Sequence, residues 1–447
     1  MAEPSDKEIA ARSESASADS PRARRWILWG LCALSLGLQA LIYTVVTNKP
    51  VIRSDGVGYH AYLPAFLVDH DPSFKTLEQR EFPQGIPYWT GIHRHPQGYV
   101  VKYWMGVALL EAPFFAVAHG VASAAGYESV YSWPYQAAAA VAAAWYFGCG
   151  CLCVWILLRR MFAPAIAVAA LGFTVAGTNL LHYATYDAAF SHVYSFFLVS
   201  ALLVAGHDLH QARLRRWLAT GLLLGLITVT RPTNAIVILL VIADWVTAAG
   251  GWREALHRFL HRKWQWGAAV LVAAAPLALQ LAYWKKTAGQ WVYDAYVDEG
   301  FNFFTPAGWR VLFGFEKGWF VYVPLAGLAV LGWLLARRKL LPPARVVLLF
   351  MGLNLWIIAS WHDWGYGGAF SMRPLVETCS LVALGVAGLL WRVWPVAWAR
   401  RLVLTLGVLC SVYTTTLMVG YWTHALPYLG ATSDDIINCL TFSWLRH

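Results

Sequence analysis

Charge is what this sequence lacks. Only 13% of its 447 residues are Asp, Glu, Lys or Arg, about half the share of a soluble globular chain. A soluble enzyme of ordinary composition is excluded, and so is disorder beyond short tails. A cysteine framework is missing too. Cys32, Cys149, Cys151, Cys153, Cys379 and Cys410 lie in apolar runs, and Cys439 stands alone in a polar tail. No disulfide set and no metal-ligand spacing emerges from them. No internal repeat appears. No glycine-rich loop ends in Gly-Lys-Ser or Gly-Lys-Thr, so a phosphate-binding P-loop is excluded.

Apolar sequence fills the space instead: 59% of the residues are hydrophobic, with 25 Trp. The chain is best counted in membrane spans of about 20 residues. Residues 1–25 read as a disordered cytoplasmic tail that ends in Arg22, Arg24 and Arg25. Residues 26–46 are too long for a signal-peptide core and read as a signal anchor. Later apolar runs lie near 136–158, 161–181, 188–206, 217–230, 233–249, 264–284, 319–336, 344–360, 374–391 and 402–421. Residues 422–447 form an outer tail. Basic clusters separate the runs, among them Arg159-Arg160, Arg213 to Arg216, Arg253 to Lys263, Arg337 to Arg345, and Arg400-Arg401.

These clusters set the topology. If 103–125 lies in the outer interface, every cluster falls inside with the N-terminal arginines. If it spans, the later clusters move outside, against the positive-inside bias. The expectation is an all-α polytopic bundle of about 11 spans over residues 26–421. Its N-terminus is in, its C-terminus is out, and juxtamembrane helices fill a large first outer loop, 48–130. The non-spanning helix lets Glu111 and His119 reach water. The net charge of +10 then reflects cytoplasmic loops, not a nucleic-acid partner.

The acids gather outside. Asp55 follows the first run and precedes Gly56 and Gly58. A carboxylate at the mouth of a span is placed to act as a general base, or it caps the next helix. Asp69-His70-Asp71 has the D-x-D form of a divalent-cation chelate, but a three-residue pattern is weak and Asp71-Pro72 reads first as the turn ending that helix. His93 and His95 read as surface or acceptor-binding residues. Lys102 either snorkels or meets a phosphate. Arg231, at membrane depth, is functional by default or pairs with a buried acid such as Asp187. The stretch from Trp361 to Arg373 holds Asp363, Trp364, Tyr366 and three glycines. Its aromatics suit sugar faces and its Arg suits phosphate, or the loop is an interfacial aromatic belt.

In order, these pieces resemble the GT-C membrane glycosyltransferases over residues 25–395. Lys102-Tyr-Trp-Met-Gly resembles the element that opens their second juxtamembrane helix. Gly221 to Asn234, Phe313 to Pro324 and Trp361 to Arg373 resemble later motifs. The layout is similar to protein O-mannosyltransferases and the aminoarabinose transferase acting on lipid A. Those carry Asp-Glu where this chain has Asp55-Gly56. The resemblance implies inverting transfer from a polyprenyl-phosphate sugar to a glycan, lipid or protein, on the outer face of the cytoplasmic membrane. Asp55 would be catalytic. Lys102, Arg231 and Arg373 would hold the donor phosphate. Tyr59, His93, His95, Trp361, Asp363, Trp364 and Tyr366 would line the substrate. No cofactor is expected, with Asp69 and Asp71 the alternative cation ligands. A transporter or flippase of a lipid-linked saccharide is the rival reading; it should carry midplane charges and repeat symmetry.

Overall fold

The computed structural model describes residues 21–336, 339–340 and 342–446. Residues 1–20 of the expected tail lie outside this set, as do Arg337 and Arg338. The first described helix, α1 (Pro21–Leu41), includes residues 21–25 and runs on as a π-helical turn to Val46.

The chain then stays on one face for some sixty residues. It forms α2 (Asp55–Leu67), α3 (Lys75–Glu81) and an antiparallel hairpin of β1 (Ile92–His95) and β2 (Gly98–Val101). That hairpin is the only sheet among the described residues, and everything else of regular structure is helical.

Helix α4 (Gly106–Ala124) is long and apolar enough to cross a membrane. Gly106 abuts Thr230 at the end of α9 (Leu214–Thr230). At the other end, His119 meets the Tyr135 hydroxyl at 2.8 Å, near the start of α5 (Trp133–Met161). Both ends of α4 thus meet the ends of spans on the face that carries α2. One expectation fails here. Glu111 is buried rather than wetted, because Tyr194 donates to its carboxylate at 2.5 Å. An acid facing inward needs such a partner.

The remaining spans are α6 (Pro164–Ala176), α8 (Ser191–Gly206), α9, α10 (Ile238–Ala249), α12 (Lys263–Ala288), α15 (Leu325–Leu335), α16 (Ala344–Ala359), α17 (Cys379–Val393) and α18 (Ala397–Trp422). Several are shorter than a bilayer, and short segments extend them: α7 (Leu180–Thr185) after α6, α13 (Gly308–Phe313) and α14 (Trp319–Tyr322) before α15, and 3-10 turns at Pro232–Val237 and Arg373–Thr378. Broken helix is tolerated at membrane depth when protein satisfies the freed groups. Asn179 does so at the α6–α7 break by donating to the Met372 carbonyl at 3.2 Å.

Small residues set the closest approaches. A Cβ on Gly221 or Gly225 would lie 2.1 or 2.4 Å from the carbonyls of Ala269 and Ala273 on α12. This is how helices dock where lipid supplies no hydrophobic drive. Helix α17 runs through the middle with nearly every side chain buried. A connecting helix, α11 (Trp252–His261), joins α10 to α12 at the end remote from α2. The tail after α18 is ordered. Its helix α19 (Ser433–Leu440) starts at a Thr432–Asp435 capping box, and Cys439 is buried against Gly420. Cys439 is a packing residue, not an isolated one.

Candidate active site

The α2 face gathers the chemistry. Asp55 is the first residue of α2. Ser54 holds the preceding position at φ 48° and makes no side-chain cap. The Asp55 carboxylate turns instead to Arg373, at 2.9 Å. Arg373 begins the 3-10 turn ahead of α17 and lies 5.6 Å from the Phe190 ring. Its Nε is buried and has no hydrogen-bond partner among the described residues. A buried guanidinium donor left unpaired is costly unless a ligand takes it.

Tyrosines and a second cation surround this pair. Tyr59, one helical turn beyond Asp55, stacks on Tyr103 at 4.5 Å and donates to Ser191 at 3.1 Å. Burial pushes its phenol up to about 12, Arg231 pulling it down and Asp55 adding to the rise. The phenol of Tyr103 is also raised, chiefly by burial and then by the nearby charge of Asp55. Arg231 follows α9, where Pro232 ends the helix. It donates to Ser191 at 3.3 Å and pairs with Glu377 at 3.1 Å. Lys102 sits 5.4 Å from the Tyr103 ring and pairs with Glu299 at 2.8 Å. Thus Asp55, Arg373, Arg231, Tyr59 and Lys102 lie in one neighbourhood, linked through Ser191 and Tyr103.

Among solved structures the chain is similar to the archaeal oligosaccharyltransferase AglB from Archaeoglobus fulgidus, determined with an inhibitory peptide and a dolichol-phosphate. Identity is 12% and the TM-score 0.50, over 92% of this chain and 57% of that one. The chain shares the fold of that protein. ArnT from Cupriavidus metallidurans in the apo state also aligns, at 15% identity and a TM-score of 0.48, over 88% of this chain and 65% of that one. The chain spans less than two thirds of the length of either protein. No protein-family profile and no curated protein matches it in sequence.

Within this fold the other expected residues divide. Trp361 packs edge-on to Tyr296 and Phe301, beside Lys102. His93 lies near Lys102 and Glu299, and burial lowers its pKa, with Lys102 adding to the effect. His95 packs against Tyr293, and Trp364 carries Arg310 over its ring. Asp363 and Tyr366 are spent on the loop itself. Asp363 accepts from the Gly367 amide at 2.7 Å and Tyr366 donates to the Ile358 carbonyl at 3.0 Å. Asp69 and Asp71 do not converge on one point. Asp69 holds Arg80 through both oxygens. Asp71 binds Ser73 and Thr76 ahead of α3, and those hydrogen bonds outweigh burial to bring its pKa to about 2. Among the described residues one group could share a cation: His207, Asp208 and Asp244. It sits where the chain leaves α8, against the middle of α10, remote from Asp55.

Asp187 does not pair with Arg231. It takes Arg53 at 3.0 Å and His182 at 3.0 Å, which fixes the backbone just before Asp55. Two functional residues escaped the sequence reading. Glu377 joins Arg231 to His192 from inside the 374–391 run. Its signal was an acid in an apolar span. Lys317 is buried and donates to the carbonyls of Ala369 at 2.6 Å and Tyr428 at 2.5 Å. It ties the Arg373 loop to the segment after α18. Burial pushes its amine down to about 8, against the pull of Glu316.

Proposed function

We propose that this chain is a multi-pass glycosyltransferase that moves a sugar from a polyprenyl-phosphate donor to a hydroxyl acceptor, on the outer face of the cytoplasmic membrane. The acceptor is a glycan, lipid or protein. One observation carries the reading: a carboxylate and an arginine with an unpaired buried donor sit together at the mouth of a GT-C bundle.

The chemistry follows from those groups. The acceptor oxygen attacks the anomeric carbon as the bond from that carbon to the phosphate oxygen breaks. The acceptor proton passes to Asp55, a general base. The electron pair leaves on the phosphate, where Arg373, Arg231 and Lys102 stabilise the growing charge. A single displacement inverts the anomeric centre. Tyr59, Tyr103 and Trp361 offer ring faces to the sugar. The phosphate must compete with Asp55 for Arg373 and with Glu299 for Lys102. Donor binding therefore releases Asp55 from its pair as it fills the site. With three cations available, and Asp69 and Asp71 already engaged, the reaction needs no divalent ion.

The test is mass spectrometry of the purified protein with a panel of polyprenyl-phosphate sugars and lipid, glycan and peptide acceptors. The expected product is free polyprenyl phosphate with a glycosylated acceptor. Movement of intact donor across a vesicle bilayer without cleavage would support the flippase and overturn the enzyme.

A further inference from the structure

We infer that helix α11 is a binding surface for the headgroups of anionic phospholipids in the leaflet remote from Asp55. This goes beyond the proposed transfer and does not depend on it. The helix joins the far ends of α10 and α12, so it lies at the level where those spans leave the hydrocarbon. It does not cross the bundle. Only Ala255 is fully buried, and Trp245 fastens the helix by donating to the Ala255 carbonyl at 3.1 Å.

The side chains sort by angle at about 100° per residue. Trp252, Leu256, Phe259 and Leu260 fall on one arc beside Ala255, and all four are exposed, Trp252 at 71%. Trp264 extends the apolar stripe into α12 at 79% exposure. The opposite arc carries Arg253, His257, His261, Glu254 and Arg258. Arg253 and His257 flank the apolar arc next to Leu260 and Leu256. Such a helix lies in the interface plane with its apolar arc among acyl chains and its flanking cations at headgroup depth.

Charge complementarity names the occupant. Between Gly251 and Trp264 stand Arg253, Arg258, Arg262 and Lys263. The one acid, Glu254, is paired with Arg258 at 3.0 Å. Arg253 and Lys263 are exposed. A zwitterionic surface would gain little from this cluster, whereas an anionic leaflet attracts each cation near its surface.

The full chain, purified in mild detergent, is incubated with equimolar phosphatidylglycerol and phosphatidylcholine and weighed intact by native mass spectrometry. Retention of phosphatidylglycerol over phosphatidylcholine is expected. The variant carrying Arg253→Gln, His257→Gln and Lys263→Gln should lose most of that preference, on the order of fivefold for each full charge removed. A control carrying Arg213→Gln and Arg215→Gln, on another loop of the same face, should keep it. All the altered side chains are exposed, so melting temperatures should match the parent. Equal retention of both lipids by the parent overturns the inference. So does equal loss of preference in variant and control, which would mean diffuse surface charge rather than a site on α11.

Discussion

Replacing Asp55 by Asn tests the base directly. Asn is the same size and still accepts one hydrogen bond from Arg373, but it cannot take a proton. At 2.9 Å and an effective dielectric near 20, the gross attraction of the ion pair is about 6 kcal/mol. Desolvation cancels most of this. The side chains also keep 16% and 17% exposure, so water screens what is left. The expected loss of stability is about 1–3 kcal/mol, small enough for a folded variant. Transfer should fall much further, by about 10²–10⁴. Donor affinity should move the other way. With the charge gone, Arg373 no longer divides itself between carboxylate and phosphate, so the donor should bind as tightly as before or tighter. The assay is single-turnover transfer with saturating donor, alongside donor titration and a thermal melt. A structural Asp55 would lower stability and donor binding together. Near wild-type transfer, or a weakened donor with an unchanged rate, would refute the reasoning.

Three more outcomes are expected. Transfer persists in a strong chelator; its complete loss, restored by magnesium or manganese, would put a cation in the site. On the reading that α4 does not cross, a C-terminal reporter active only outside the cytoplasm gives signal and a cytoplasm-only reporter gives none; the reverse would mean α4 spans. Lys317 keeps its proton less readily in the fold, near pH 8, than in the unfolded chain, near 10.5. The unfolded state then holds more protons across that window, so stability rises with pH from about 8 to 10.5, by at most about 3 kcal/mol. Melting curves should show the rise in the parent and not in Lys317→Met; a flat parent profile would count against the buried amine.

The span pattern was legible because each apolar run follows from the lack of water in a bilayer. The basic clusters argue that α4 does not cross, a reading its composition cannot supply, since α4 is as apolar as the other candidate spans. The cations of the site were readable one by one, because Arg231 and Arg373 stand at breaks in apolar sequence. Their partners were not. Arg231 chose Glu377 over Asp187, and that choice depends on how the end of α9 and the turn ahead of α17 come together across more than 140 residues of chain. The pull of Lys317 on Ala369 and Tyr428 was hidden likewise, since a backbone carbonyl leaves no mark in a residue pattern. Asp363 and Tyr366 looked like ligand residues because a glycine-rich loop needs the same polar groups to hold its own turns.

Gly56 carries one more consequence. A Cβ there would lie 2.8 Å from the Cβ of Ala189. Enzymes of similar layout place an acid directly after their catalytic Asp; here a methyl group occupies the ground that acid would need. Positions 56 and 189 are therefore one choice, not two. A homologue that regains Glu at 56 must give up bulk at 189 or let the 186–190 turn back away from α2, and that turn also carries Phe190 against Arg373 and Asp187 against Arg53. Divergence at this glycine should thus travel in company: substitutions at the two positions should appear together across lineages, and a lone Gly56→Glu exchange should be purged.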